Sequence, residues 1–490
     1  MTFKSRLRAD AVPFFSALGF GFAAHMFMLT NKIPVDDDIC FLFDKGATTV
    51  SGRYGLELLR FLIPDVSMPW IYGVMALLFL SAAVCVTVRL FEIKSRIIQV
   101  LFAGLFIAFP AETGTMSYIF TCAPYALALL LTVTAVYLFR VRNGWVRWAV
   151  CPLLLIFSCS IYQGYFAFAA SFCVLLMIKD LLTDEKTTAE VFRYGLQMLA
   201  LLVVSVAVYG VSVVVAGKIA AVPVLDVANK EQGLLLRIAV AYSAYIHTFL
   251  SGYFAYVNTP LSLVMHLLLA AVVAVGLIRY AVKSRDIRRI ALLALCVFLL
   301  PLASYCLYLL ADNGYIHSLA LYPFASFYVL VAIVAENCLP ERPKLCRCAA
   351  PAAMAVILLV NIYFANSFYL RCFLQYQSRE AFYTAMLARV MQTEGFDENS
   401  KLAIIGDSGA LDYDYDRELD FSKFQLPGNN IMKPIHAKDF INIYLGCEMA
   451  MADEEECEKL SRSGEVENMA VYPYYGSVKN VDGYIVVKLK

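Results

Sequence analysis

The sequence predicts a polytopic all-α membrane protein with about eleven transmembrane helices and a small α/β domain at its C-terminus. Three observations predict it. Hydrophobic residues make up 61% of the 490 residues, and charged residues make up only 16%, against about a quarter in soluble proteins. The mean hydropathy is +0.69. The charges are collected into short clusters between apolar runs and into one long polar stretch at the end, so the chain alternates between lipid and water.

Apolar runs define the transmembrane helices. A helix needs about 20 apolar residues to cross the roughly 30 Å hydrocarbon layer. The run 148–178 is too long for one helix and is interrupted by CSIYQGY, so we predict two helices there. The predicted spans are 11–30, 69–88, 97–111, 119–139, 148–159, 161–178, 195–217, 260–280, 291–311, 319–338 and 349–369.

Basic residues between the spans predict the orientation. The loops that alternate on one side carry 20 Lys and Arg, and the opposite loops carry seven. Cytoplasmic loops are enriched in Lys and Arg, so we predict a cytoplasmic N-terminus and an extracytoplasmic C-terminal domain. The first apolar stretch lacks a small-residue cleavage site, which favours a retained anchor helix over a removed signal peptide.

Three consecutive aspartates, Asp36, Asp37 and Asp38, follow the first span in the predicted outer loop 31–68. The same loop contains many apolar residues, which predicts that it packs instead of being fully solvated. A partly desolvated carboxylate at the membrane edge has a raised pKa, which suits a general base. In an extended segment Asp36 and Asp38 would share one face and Asp37 the other. A solvated loop is the alternative interpretation.

An active site on the outer face has no access to cytoplasmic nucleotide sugars, and the chain has no P-loop and no GxGxxG after a strand. A lipid-linked donor fits this location. Its phosphodiester would need cationic partners to stabilise the developing charge. Arg53 is the first candidate and Arg237 the second. The alternative for Arg53 is an ion pair with one of the nearby aspartates that only fixes the loop.

Polar residues Ser160, Tyr162 and Gln163 interrupt the apolar run 148–178. Such a break is tolerated where it is buried in protein or lines a watery cavity. It indicates either a substrate groove or polar groups that are satisfied between helices.

The long outer loop 218–258 combines aromatic residues with Arg237 and His247, which favours a helix in the membrane interface beside a lipid. His247 and His317 are candidates for contacts with phosphate or sugar, although a single histidine is more often a packing residue.

Residues 371–490 predict a small α/β domain, with strands at KLAIIGD and YIVVKLK and helices at REAFYTAMLARVMQ and AKDFINIYLG. The GDSG sequence would make Ser408 the nucleophile of a GDS-type esterase. That reaction needs an Asp three residues before a catalytic His, but Lys433 precedes His436, so we predict a strand and a turn. Cys447 and Cys457 could pair in an oxidising exterior.

The fourteen cysteines show no CxxC or Cys/His spacing, so no zinc site is predicted. Nothing in the charge distribution indicates binding to nucleic acid.

Four stretches resemble the GtrII-type glucosyltransferases of bacterial cell envelopes, which belong to the GT-C glycosyltransferase superfamily. They are DDICFLFDKG, SGRYGLELLR, CSIYQGYFAF and the terminal NMAVYPYYGSVKNVDGYIVVKLK. Tyr54 stands where these proteins usually have Trp. The resemblance implies a GT-C-like catalytic domain over 1–370, with the C-terminal domain over 371–490, in the bacterial cytoplasmic membrane.

The resemblance also implies an inverting transfer of a sugar, glucose by the family's name, from a polyprenyl-phosphate carrier to an acceptor glycan. An acidic residue of the first outer loop is the base. Asp37 and Asp38 match this pair, with Asp36 as an extra acid, and we favour Asp37. Arg53, Tyr54, Tyr162, Gln163, Arg237, His247 and His317 are the predicted substrate contacts. The sequence assigns no cofactor, and it leaves open a divalent cation at the aspartate cluster.

A polyprenyl-lipid flippase or transporter is the alternative from another class. Ion-coupled transporters place ionisable residues within the membrane. The predicted spans contain almost no Asp, Glu, Lys or Arg at mid-helix, and the polar residues gather at the predicted outer face. This pattern favours an outward-facing enzyme.

Overall fold

The computed structural model describes residues 3–44, 46, 48–60, 62–225, 232–252, 259–311, 318–338, 344–406 and 434–489. In these ranges nine helices are long and apolar enough to cross a membrane, or ten if a bent pair counts as one span. The predicted polytopic all-α fold with a small C-terminal sheet is therefore confirmed.

The described chain divides into two compact units. The first unit holds the residues up to Asn31 and those from 46 to Ser367. The second holds Lys32–Asp44 and the described residues from Phe368 onward. The predicted boundary at residue 370 falls within one continuous helix, and the predicted acidic segment belongs to the second unit.

Long helices build the first unit. Most residues of Gln163–Thr183 and Ile119–Val141 are buried within this unit, whereas most residues of Thr188–Ala220 are not. The α-helices are Phe3–Thr30, Gly55–Leu59, Pro69–Phe91, Arg96–Ile107, Pro110–Ser117, Ile119–Val141, Cys151–Ile161, Phe166–Thr183, Thr188–Ala220, Leu234–His247, Thr259–Ser284, Ile287–Ser304, Ser326–Cys338 and Lys344–Met391, the last of which continues into the second unit. Short 3₁₀ or π turns are Val146–Val150, Gln163–Tyr165, Thr248–Gly252, Cys306–Leu309 and Ser318–Ala325.

Most predicted spans correspond to one of these helices, and three differ. The predicted span 97–111 is a helix that ends at Ile107, followed by Pro110–Ser117 at an angle of 47°. Phe109 is extended there (φ −62°, ψ 138°), because a residue before proline avoids the helical region. The helix in 148–159 is Val146–Ile161, shorter than a full span. The helix in 291–311 begins at Ile287 and ends at Ser304.

Polar caps fix several helix starts. The Thr187 hydroxyl accepts from the Glu190 backbone N–H, and the Glu190 carboxylate accepts from the Thr187 N–H, which is a capping box. The Asp286 carboxylate accepts from the backbone N–H groups of Arg288 and Arg289 and starts the helix Ile287–Ser304. These caps satisfy N–H groups that a helix leaves unpaired at its first turn.

Ion pairs join several loops at one end of the helix bundle. Both terminal nitrogens of Arg140 donate to the two oxygens of Asp180, at 2.8 and 2.6 Å. Lys186 donates to the same carboxylate at 2.8 Å. Lys179 pairs with Glu92, also at 2.8 Å. These residues come from three of the loops that the Lys and Arg pattern assigns to one side of the membrane.

The second unit contains a four-stranded sheet. Its strands are β1 (Lys401–Ile405), β2 (Ala450–Met451), β3 (Val478–Val481) and β4 (Tyr484–Lys488), in the order β2-β1-β4-β3. β1 is parallel to β2 and β4, whereas β3 is antiparallel to β4. The shorter helical segments of the unit are Pro434–Asp439, Phe440–Tyr444, Glu454–Ser461 and Gly464–Glu467.

Both faces of the sheet are covered by apolar side chains. Leu402 and Ile485 pack with Met386 and Phe440 on one face. On the other face Ala403 and Val486 pack with Leu460 and Val466, because successive residues of a strand point to opposite sides. The predicted α/β character of the C-terminal region is confirmed. Cys447 packs on the first face and Cys457 on the second, and both are free thiols, so their predicted pairing does not form.

Candidate functional site

The acidic segment forms one turn of 3₁₀ helix, Asp36–Ile39, in the second unit. The expected extended conformation is therefore corrected. Asp38 is fully buried, and its carboxylate forms an ion pair with Lys32. The Asp37 side chain is exposed. The side chain of Asp36 lies outside the described part of the chain. The turn thus gives neighbouring aspartates different environments.

C-terminal residues hold this turn in place. Ile39 is completely buried in the core cluster that includes Tyr383 and Phe440. The hydroxyl of Tyr444 donates to the backbone carbonyl of Asp38 over 3.1 Å. Burial, and secondarily the nearby Asp38 carboxylate, raise the pKa of Tyr444, so its hydroxyl remains a donor at neutral pH.

The residue after the turn makes one further contact within the second unit. Cys40 Sγ lies 3.0 Å from Nδ1 of His436, which is buried. The turn is therefore fixed by its own backbone, by an ion pair and by side chains that follow it by about 400 positions in the sequence.

Arg53 lies in the first unit on a pair of stacked aromatic rings. Its Nη1 donates to the hydroxyl of Tyr125 over 2.9 Å. Its guanidinium carbon lies 5.5 Å from the ring centre of Tyr162 and 5.9 Å from that of Tyr125. The two rings stack with centres 4.3 Å apart. A half-buried cation is thus held by a hydrogen bond and by cation–π attraction.

The break between the helices Cys151–Ile161 and Phe166–Thr183 meets the loop that carries Arg53. Tyr162 is extended (φ −153°, ψ 112°), which confirms the predicted interruption. Gln163 Nε2 donates to the Ser51 carbonyl and to the Tyr209 hydroxyl, both at 2.8 Å. The Tyr209 hydroxyl donates in turn to the Gly52 carbonyl at 3.0 Å. Gln163 therefore connects the break between these two helices to the loop that carries Arg53 and to the helix Thr188–Ala220, which contains Tyr209.

Tyr54, the predicted aromatic contact, is half-buried, and its hydroxyl lies 2.7 Å from the hydroxyl of Ser212. Ser160 is buried and donates to the Phe157 carbonyl at 2.7 Å, within its own helix. The structure therefore brings Arg53, Tyr162 and Gln163 together.

The other predicted substrate contacts lie elsewhere. Arg237 Nε donates to the Gln232 carbonyl at 2.8 Å, and its Nη1 donates to the Leu309 carbonyl at 3.0 Å. It thereby satisfies the C-terminus of the turn Cys306–Leu309. His247 is exposed at the end of the helix Leu234–His247, where a helix was expected. His317 and Ser408 lie outside the described residues.

Sequence reasoning missed Glu112, the second residue after Pro110 in a helix whose eight residues are all buried. The predicted spans 97–111 and 119–139 placed it in a connecting loop. A single acid two residues after a proline, between two apolar runs, was the available signal. Tyr125 and Tyr209 were also missed, because nothing in their local sequence distinguishes them from packing residues.

No three His, Cys, Asp or Glu side chains gather as metal ligands within the described ranges. The description lacks the side chain of Asp36, so a divalent cation at the aspartate cluster stays a prediction.

The fold and the site define a class: a polytopic helical membrane protein with a cation–aromatic cluster at a helix break and an acidic turn in its second unit. Residues 26–335 match the family model described as Glucosyl transferase GtrII. The match covers more than half of the chain, and the protein belongs to this family. It is a glucosyltransferase, as the resemblance predicted. No curated protein and no solved structure matches the chain.

Proposed function

We propose that the protein transfers glucose from a polyprenyl-phosphate carrier to a cell-envelope glycan, such as O-antigen, teichoic acid or a related polymer. Transfer takes place at the extracytoplasmic face of the bacterial cytoplasmic membrane. Asp37 is the general base. The observation that carries this assignment is the contrast within one turn, where Asp37 is exposed and Asp38 is buried against Lys32.

The reaction is an inverting displacement. Asp37 takes the proton of an acceptor hydroxyl as that oxygen forms a bond to the anomeric carbon of the glucosyl group. The bond from this carbon to the phosphate oxygen breaks, and polyprenyl phosphate leaves with the electron pair. A base must be accessible to the acceptor, which the exposed Asp37 satisfies and the buried, ion-paired Asp38 does not. Asp38 instead orients the turn.

The lipid carrier is supported by the sequence and by the surroundings of Arg53. The chain lacks a P-loop and a dinucleotide-binding loop. Arg53 places a half-buried guanidinium on the Tyr125 and Tyr162 rings. A guanidinium in such surroundings suits a phosphate diester, because its planar N–H donors match the phosphate oxygens. We propose that Arg53 binds the donor phosphate. The remaining predicted substrate contacts are Tyr54, Gln163, His247 and His317. Arg237 stays the second candidate cation for the donor phosphate.

The experiment compares Asp37→Asn with its neighbour Asp38→Asn in purified protein supplied with polyprenyl-phosphate glucose. Loss of the base should slow transfer by roughly 10² to 10⁴-fold in Asp37→Asn, with donor affinity and unfolding temperature unchanged. Asp38→Asn should mainly lower the unfolding temperature, because it removes the partner of Lys32. The least effect is expected for Asp36→Asn. Parent-like transfer by all three variants would refute the aspartates as the general base.

Two further measurements complete the test. A reporter that is active only outside the cytoplasm should work when fused after residue 490 and fail when inserted in 281–288. The reverse result would refute the proposed orientation and, with it, the lipid-linked donor. Transfer in EDTA tests for a divalent cation at the aspartate cluster: activity that is lost and then restored by Mg²⁺ would assign one, and full activity would exclude one.

A further inference from the structure

The helix Pro110–Ser117 contains a carboxyl group that the reaction described above does not use. Glu112 is completely buried, and neither of its carboxyl oxygens meets a hydrogen-bond partner among the described residues. The Thr115 hydroxyl lies close to this carboxyl group, but its hydrogen bond of ordinary geometry goes to the Ala111 carbonyl, at 3.3 Å. An unpaired polar group buried in a protein costs stability. Such groups are rare in native structures and require an explanation.

A second unpaired group lies close to the first. Tyr165 is 1% exposed, and its hydroxyl also lacks a partner within the described part of the chain. The Glu112 backbone N–H donates to the Phe109 carbonyl, and the Tyr322 ring centre lies 5.7 Å from that of Phe109 and 6.4 Å from that of Tyr165. One acceptor group and one hydroxyl, each buried and without a hydrogen-bond partner among the described residues, therefore lie in the same aromatic-rich part of the first unit. Two buried polar groups that both lack a partner are stronger evidence for a ligand than one such group alone.

Aromatic rings connect Tyr165 to Arg53. Tyr162 stacks on Tyr125 beneath the Arg53 guanidinium, and its ring centre lies 5.0 Å from that of Tyr165. Tyr162 is also the single residue that joins the helix Cys151–Ile161 to the turn Gln163–Tyr165. Tyr162 therefore lies between Arg53 and Tyr165, at the break between the two helices.

We propose that Glu112 and Tyr165 bind the hydroxyl groups of the glucosyl residue of the donor, with Tyr162 as the aromatic platform. This inference rests on the proposed role of Arg53 at the donor phosphate, because the sugar is bonded directly to that phosphate. A carboxyl group accepts hydrogen bonds from sugar hydroxyls, and a phenol both donates and accepts them. An aromatic face packs against the C–H face of a hexose. Glu112 and Tyr165 are therefore specificity residues for the sugar.

The test compares two ligands, polyprenyl-phosphate glucose and the bare polyprenyl phosphate. The variants are Glu112→Gln, Glu112→Leu and Tyr165→Phe. Each should weaken binding of the glucose donor by about tenfold, as expected for one lost hydrogen bond or slightly more, and leave binding of the bare carrier unchanged. The parent should bind a donor that lacks one sugar hydroxyl much more weakly than the glucose donor. In the variants this difference in affinity should be smaller.

Stability separates this role from a structural one. An unpaired buried carboxyl costs stability, so Glu112→Leu should unfold at the same temperature as the parent or higher. Ser81→Ala is the matched control. It removes another buried hydroxyl that has no partner among the described residues, and donor binding should not change.

Three outcomes would contradict the inference. In the first, all variants bind the glucose donor as tightly as the parent does. In the second, the variants bind the glucose donor and the bare carrier more weakly by the same factor. In the third, Glu112→Leu unfolds at a much lower temperature than the parent. If the parent does not bind polyprenyl-phosphate glucose, the proposed function is wrong, and the sugar site that rests on it is wrong as well. If the parent binds this donor and the variants do so equally well, only the sugar site fails.

Discussion

Gln163 donates from its side-chain amide to the backbone carbonyl of Ser51 over 2.8 Å, across 112 positions of the sequence. The contact fixes the loop before Arg53 to the break between two buried helices. A backbone carbonyl in a loop depends on such partners, since no secondary structure satisfies it. The position of the Arg53 guanidinium therefore depends on Gln163, which the sequence marked as an interruption of an apolar run and as a predicted substrate contact.

The loop beside Arg53 has no room for a side chain at Gly52. Its backbone is left-handed (φ +76°), and an added Cβ would lie 2.9 Å from the Tyr209 hydroxyl and 3.1 Å from Gln163 Nε2. We expect Gly52→Ala to lower the free energy of unfolding by about 1–2 kcal/mol, from left-handed backbone strain alone. Chemical denaturation in detergent would measure it.

Gly210 provides the control for Gly52. It lies within the helix Thr188–Ala220, and a Cβ there meets nothing within 4 Å. Gly210→Ala should raise the free energy of unfolding by roughly 0.5–1 kcal/mol, because alanine loses less conformational entropy than glycine in a helix. If the two variants shift stability equally, the tight approach at Gly52 is not a constraint.

Arg53→Ala should weaken binding of bare polyprenyl phosphate by roughly 10 to 100-fold, since a hydrogen bond to a charged group contributes about 1.5–3 kcal/mol. Tyr125→Phe removes only the hydroxyl that accepts from Arg53 Nη1. It keeps the ring stack, so its effect on carrier binding should be much smaller. Isothermal titration and thermal unfolding of both variants are the measurements. A fall in unfolding temperature for Arg53→Ala with unchanged carrier affinity would assign Arg53 a purely structural role.

The ion pair of Asp180 predicts a large effect on stability. Its side chain is 3% exposed and receives both Arg140 and Lys186. Asp180→Asn leaves two cations without their partner, which should cost about 3 kcal/mol of unfolding free energy. Glu458→Gln is the control, because Glu458 and Arg462 are both mostly exposed and such pairs contribute about 0–1 kcal/mol. Equal stability of the two variants would contradict this role of Asp180.

The second unit should become less stable in acid through Glu456. Its carboxylate accepts from the Lys401 ammonium, the Tyr484 hydroxyl and the Asp453 backbone N–H, and these bonds lower its pKa from 4.5 to about 2. The stabilisation is present above pH 4.5 and is lost as pH falls to about 2. Glu456→Gln should therefore lower the unfolding temperature at pH 7, with a difference from the parent that shrinks in acid. A difference independent of pH would exclude the ionised carboxylate as its source.

The sequence by itself determined the membrane class, the approximate spans, the break at Tyr162 and the α/β character of the C-terminal region. These properties are local, because hydropathy, polar interruptions and strand or helix patterns are read within about 20 consecutive residues. Local patterns also marked the acidic segment and Arg53 as candidates. They set the conformation of the acidic turn incorrectly, since packing against distant residues made it a 3₁₀ turn.

Only the tertiary structure decided which candidate residues are buried or exposed and which partners they have. Asp37 and Asp38 are equivalent in the sequence, and their difference comes from Lys32 and from Tyr444, which lies 406 positions beyond Asp38. Arg53 rests on Tyr125, 72 positions away. Glu112 is completely buried, although it lies outside every predicted span. The burial and the partners of a polar side chain depend on which distant segments fold against it. A short stretch of sequence does not specify those segments.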